Sequence, residues 1–175
     1  MIPSLLSLLA AAVLAGVDQL IKHWATAVLE PVGAMQVWPG VVELRYYLND
    51  GMAFSMLAGQ QTLLIAVTTV MLAAVAVYLV WKRPPLAERI AWTMVLGGGI
   101  GNLIDRVLAG QVVDYINLLF IDFAVFNFAD ICVTCGIALL FVDILLVETR
   151  RRKTETPQTA GDTPAQEGGA HDADA

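Results

Sequence analysis

The chain carries ionisable and amide side chains in short clusters separated by long apolar stretches, and these clusters bound the chemistry it can do. Asp18 and Lys22 stand four residues apart, on one face of a helix. Asn102, Asp105 and Arg106 form a second cluster, Asp114 follows within ten residues, and Asn127 with Asp130 forms a third. Histidine chemistry is poorly provided for: His23 and His171 are the only two, and no His-Glu-x-x-His string is present to hold zinc. Ser4, Ser7 and Ser55 are the only serines, none in a Gly-x-Ser-x-Gly turn, and a Ser55–His23 pair has no third orienting group in view. Carboxylates remain in quantity. Two aspartates within hydrogen-bond reach share one proton, because like charges that close cannot both ionise. One then takes a proton from water while the other donates to a carbonyl oxygen.

Plainer readings stand beside this one. Asp18–Lys22 could be an interfacial ion pair, Asp105–Arg106 a helix-end charge pair, and Asp130 a helix N-cap. Asp143 falls near the basic cluster that follows the last apolar stretch, and Asp122 reads as a solvated loop residue. Cys132 and Cys135 lie in an apolar stretch with neither two further zinc ligands nor a sign of an accessible low-pKa thiol, so they read as packing residues. Gly97, Gly98, Gly99 and Gly101 read as a surface for close helix contact.

The elements that must position these groups are membrane helices. Over 175 residues the chain is 58% hydrophobic and 15% charged, against about a quarter charged in a typical soluble domain. Apolar stretches cover roughly 4–21, 61–81, 90–107 and 126–147, each near the roughly 20 residues a spanning helix needs. Lys82, Arg83 and Arg89 between the second and third stretches, and Arg150, Arg151, Arg152 and Lys153 after the fourth, place those connections in the cytoplasm by the positive-inside rule. The N-terminus then lies inside too, segments 22–60 and 108–125 face outward, and every polar cluster falls at the same outer level. The first stretch lacks a basic residue before Lys22, so it reads as a retained span rather than a cleaved signal peptide. Segment 30–60, with Val37, Val41, Val42, Leu44, Tyr46 and Tyr47 punctuated by Pro39-Gly40 and Asn49-Asp50-Gly51, predicts a small β-rich element on the outer face. Residues 1–153 form one membrane-embedded domain, and 154–175 read as a disordered acidic tail. Five of the 16 acidic residues fall in that tail, leaving eleven against ten basic ones, so the net charge of −6 belongs to the tail.

Taken in order, five strings resemble the bacterial lipoprotein signal peptidase family, signal peptidase II. They are Asp18-Gln19-Leu20-Ile21-Lys22, Asn49-Asp50-Gly51-Met52-Ala53-Phe54-Ser55, Gly97 through Arg106, Val112-Val113-Asp114-Tyr115 and Phe126-Asn127-Phe128-Ala129-Asp130. The resemblance covers about residues 5–150. It implies a membrane all-α fold of four transmembrane helices with a small β-cradle on the outer (periplasmic) face, embedded in the bacterial cytoplasmic (inner) membrane. It implies an aspartyl endopeptidase that cuts a diacylglyceryl-modified prolipoprotein before its lipidated cysteine, with no cofactor, no metal and no nucleic acid, its partners being that substrate and membrane lipids. The family's catalytic pair maps onto Asp114 and Asp130. Its supporting residues map onto Asp18, Lys22, Asn49, Gly99, Asn102, Asp105, Arg106, Asn127 and Ala129. Met52 departs from the pattern, standing where a smaller residue is common. A transporter or proton-relay protein would use carboxylates too, but typically on broken helices at mid-membrane depth, and the Gly-x-Gly-Asp string of presenilin-type proteases is absent.

Overall fold

The structure, a computed structural model, describes residues 2–51 and 59–155, with side chains described up to residue 149. Four helices alternate in direction: α1 Ile2–Leu29, α2 Gln61–Trp81, α3 Leu86–Ala109 and α4 Phe128–Glu155. Three strands, β1 Ala34–Trp38, β2 Val42–Asn49 and β3 Val112–Leu118, form one antiparallel sheet in the order β1-β2-β3. The sheet sits at the end of the bundle where α1 and α3 finish and α2 and α4 begin.

α2 forms over the residues expected of it, because nothing polar interrupts Leu63–Trp81 except two threonines. α1 does not stop near Lys22 as expected. It continues to Leu29, a helix about 42 Å long at 1.5 Å per residue, because Lys22 is neutralised inside the protein and the last turns have a partner of their own. Ala25 and Leu29 are fully buried with Tyr115, and Leu44 and Tyr46 of β2 pack against them. α3 begins directly after Pro84-Pro85 and ends at Gly110, whose φ of 71° is the left-handed C-cap that glycine tolerates; its N–H bonds back to Arg106 O at 3.1 Å. α4 starts two residues later than expected and runs to Glu155, eight residues beyond the expected end at 147 and just into the segment read as tail. Residues 156–175, expected to be disordered, lie outside the described residues, as do Met52 and Ser55. β1 and β2 account for the β-rich reading of 30–60, but the third strand comes from 112–118, inside the short outer connection.

α3 packs against the other three helices, and its glycines explain how. A side chain at Gly97 would meet Ala11 and Leu14 of α1, one at Gly98 the Ala129 carbonyl and Cys132 of α4, one at Gly99 Leu72 of α2, and one at Gly101 Asp18. With no Cβ in the way, three helices close on one axis. Both thiols are free: Cys132 is buried at this contact, as a packing residue would be, but Cys135 faces outward and is not packed inside the bundle. Away from α3 the surface is apolar: Val67, Val70, Met71, Phe141, Ile144 and Leu146 are all exposed. Among the described residues three helices, α1, α2 and Phe128–Thr149 of α4, are long and apolar enough to cross a membrane.

Candidate active site

The polar residues of three helices and two strands converge in one network around a buried lysine. Lys22, 2% exposed, places Nζ 2.8 Å from Asp18 Oδ2, 2.8 Å from Asp105 Oδ2 and 2.8 Å from Asn102 Oδ1. An ammonium has three N–H groups, and each has an acceptor. That complete pairing is what lets a charge sit inside the bundle, since an unpaired buried ion costs several kcal/mol. The Asp18–Lys22 pair is therefore an ion pair, but a buried and shared one rather than an interfacial one. Asp105 likewise pairs with Lys22 and not with Arg106, whose guanidinium instead donates to Gly51 O at 2.8 Å.

These acids also tie the neighbouring elements down. Asp18 Oδ1 accepts the Ala129 N–H at 3.0 Å, fixing the start of α4 to α1. Asp105 accepts Gln19 Nε2 at 2.7 Å and the Val113 N–H at 3.3 Å, fixing the residue just before Asp114. Asn102 receives Lys22 and Asn127 Nδ2 (3.1 Å) on its carbonyl oxygen, so its amide nitrogen must point the other way, to Asp130 Oδ1 at 2.7 Å. Asn127, not Asp130, caps α4. Its Oδ1 accepts the Asp130 N–H at 3.0 Å while Asp130 Oδ2 accepts the Asn127 N–H at 3.0 Å, a reciprocal capping box.

The same Asn127 reaches the second carboxylate: its Nδ2 donates to Asp114 Oδ1 at 2.6 Å, and Asn49 Nδ2 donates to Asp114 Oδ2 at 2.9 Å. Asp114 and Asp130 thus flank one asparagine, with each of their four oxygens accepting one N–H. Their surroundings differ. Asp114 is 1% exposed on β3, and burial, with the charge of nearby Asp130, pushes its carboxyl up to about 7. Asp130 is only partly buried and sits in the first turn of α4. Tyr115, next to Asp114, is pushed up to about 12, chiefly by burial, and its hydroxyl accepts the Phe128 N–H at 3.2 Å.

Of the residues singled out from sequence, Asp18, Lys22, Asn49, Asn102, Asp105, Asp114, Asn127, Ala129 and Asp130 join one hydrogen-bonded network, Ala129 through its backbone. Arg106 borders it through Asn102 O (3.5 Å) and Gly51. Gly99 stands apart, packed on Leu72, and Gly101 is the glycine that gives Asp18 room. Gln19 and Tyr115, which the sequence offers only as members of the matching strings, also touch the site. Gln19 follows Asp18, yet its amide spans to Asp105 across 86 positions, and nothing local in the sequence signals such a contact. His23 turns its Nδ1 to Gln19 O and takes no part. Among the described residues no group of three His, Cys, Asp or Glu is placed to hold a metal ion.

Residues 10–146 match the family described as Signal peptidase (SPase) II. The chain belongs to the signal peptidase II family. It is 41% identical over 133 residues to the lipoprotein signal peptidase of Latilactobacillus sakei, covering 75% of this chain and 87% of that one. It is 38% identical over 150 residues to that of Symbiobacterium thermophilum, covering 83% and 98%. Among solved structures it resembles two described as a bacterial membrane enzyme by the in meso method. The one at 2.3 Å has a TM-score of 0.72 at 27% identity, over 90% of this chain and 94% of that one. The one at 1.9 Å has a TM-score of 0.72 at 30% identity, over 79% and 92%. With three helices apolar enough to span, this member of the signal peptidase II family is a multi-pass membrane protein and a protease of lipoprotein precursors.

Proposed function

We propose that Asp114 and Asp130 are the catalytic pair with which this peptidase removes the signal peptide from diacylglyceryl-modified prolipoproteins, cutting just before the lipidated cysteine. The observation that carries the reading is the asymmetry of the two carboxyls around Asn127. Asp114, buried and pushed up to about 7, is protonated in part at neutral pH, and that form donates its proton to the scissile carbonyl oxygen. Asp130, only partly buried at the start of α4, draws a proton from the attacking water. Asn102, Asn127 and Asn49 aim the carboxylates, and Lys22 with its two acids aims Asn102.

α3 is the fourth span in this reading. Its Asn102, Asp105 and Arg106 depress its hydropathy, but the other three helices shield it from lipid, so it need not be apolar all round. Four spans with the basic connections inside leave both termini in the cytoplasm and the sheet on the outer face of the cytoplasmic membrane. A diacylglyceryl cysteine is held in the bilayer by about 0.8 kcal/mol for each buried methylene. A peptidase for it must therefore work at the membrane's edge, where water is also at hand. No cofactor enters these steps.

The test is purified protein with a lipidated prolipoprotein and its unmodified precursor, the products mapped by mass spectrometry. The reading expects one cut, leaving diacylglyceryl-cysteine as the new N-terminus, and little cleavage of the unmodified chain. A cut at another bond, or equal cleavage of both substrates, contradicts it.

A further inference from the structure

A polar groove lies on the sheet next to the carboxylate pair, and nothing in the chemistry above uses it. It encloses about 510 Å³, within the roughly 300–1,000 Å³ range of ligand sites, and is lined by Arg45, Tyr47 and Asn49 of β2, Asn117 of β3 and residues 121–125. One of its walls is Asn49, whose amide holds Asp114 Oδ2 at 2.9 Å, so a single side chain links the groove to a carboxylate of the pair. We propose that this groove receives the first residues on the mature side of the cut, with Arg45 selecting their charge. The inference rests on the catalytic reading given above.

Three observations support the assignment. The first is direction. The apolar signal peptide and the acyl chains belong to the lipid side, and only the segment after the cysteine leads away from the bilayer, toward the sheet. The second is that β2 is paired on both edges, with β1 and β3. Its backbone cannot accept another strand, so a peptide lying on it is read by side chains. The third is that the wall is built. Glu43, 7% exposed, accepts Arg45 Nε at 3.0 Å and Asn117 Nδ2 at 2.8 Å on the same oxygen, holding both residues in place. A guanidinium anchored through Nε keeps its terminal N–H fork for a carboxylate. The Arg45 side chain is 54% exposed, and among the described residues its Nη atoms have no partner. Asp122 on the loop wall carries the opposite sign, so the attraction for acids is local to Arg45 and not a property of the whole groove.

The experiment uses the full-length protein and three diacylglyceryl-modified substrates. Two differ only in carrying acidic or basic residues at the second to fourth positions after the leading cysteine, and the third ends at the cysteine amide. Wild type should cut the acidic substrate better than the basic one by roughly two- to fivefold in kcat/KM, the size an exposed ion pair supplies, and mainly through KM. Arg45→Gln should erase the preference, Arg45→Glu should reverse it, and all three proteins should cut the truncated substrate alike. An acidic-to-basic ratio that stays the same in wild type and both variants overturns the proposal, including where all substrates slow together because the sheet is disturbed. Cleavage of the truncated substrate by wild type tests the catalytic reading separately, so the two ideas cannot fail unseen together.

Discussion

A single asparagine decides much of what the site can do. Asn127 touches one carboxylate with its side chain and the other with its backbone, so both acids are positioned from one residue while keeping different environments. The raised Asp114 carboxyl gives a pH prediction with a definite sign. An acid whose pKa is lifted stays protonated to higher pH, so the donor is present below about 7 and lost above it. Cleavage measured as kcat/KM should therefore fall as pH rises through about 7. Burial is the main cause of the lift, and the Asn49 hydrogen bond opposes it. Asn49→Ala should accordingly move the falling limb to higher pH, and a limb that moves down, or stays fixed, would remove Asn49 from that role. Asp105 acts at one remove, through Lys22 and the Val113 N–H that precedes Asp114. A displacement of about 1 Å can cost on the order of 10²-fold in rate. Asp105→Asn should thus lose about that factor and keep measurable single-turnover activity.

At the scale of elements, α3 works as an axle because its four glycines let three other helices approach. Gly98→Ala would drive a methyl into the Ala129 carbonyl and Cys132, pushing α4 away at the turn that carries Asp130. Overpacking of this kind costs about 1–3 kcal/mol, so the detergent-solubilised variant should unfold at lower temperature and cleave more slowly. Gly16→Ala, which meets nothing within 4 Å, should do neither. The elements also separate what the sequence discloses from what it hides. α2 is legible because an uninterrupted apolar run has one interpretation, and the glycine run of α3 announced close packing. The end of α1 was not legible. A lysine in a helix reads as a membrane boundary until its acids are known, and Asp105 lies 83 positions away. β3 was hidden because its run is short, with Asp114 and Asn117 interrupting Val112, Val113, Tyr115 and Ile116, and its pairing with β2 spans more than sixty positions. The polar residues of the site were legible as types at a common level. Their connections were not, since Gln19–Asp105 and Asp18–Ala129 depend on the folded bundle.

At the scale of the whole molecule, the arrangement puts apolar helices toward lipid, a polar-bearing helix between them and a sheet over the polar end. Reporter fusions test the orientation this implies. A reporter that works only in the cytoplasm should be active when joined in the 82–85 connection and after residue 175, and inactive when joined between β1 and β2. Activity at all three positions, or the reverse pattern, would contradict four spans with both termini inside. The most direct test of the central claim is single-turnover cleavage of a diacylglyceryl-modified prolipoprotein by Asp114→Asn and Asp130→Asn, beside Asp105→Asn and wild type, at matched amounts of membrane-inserted protein. An amide can neither take a proton from water nor supply one as an acid does, so both dyad variants should give no product while Asp105→Asn still gives some. Normal cleavage by either dyad variant, or an Asp105→Asn protein as inactive as they are yet equally well folded, would contradict the assignment of Asp114 and Asp130 as the pair.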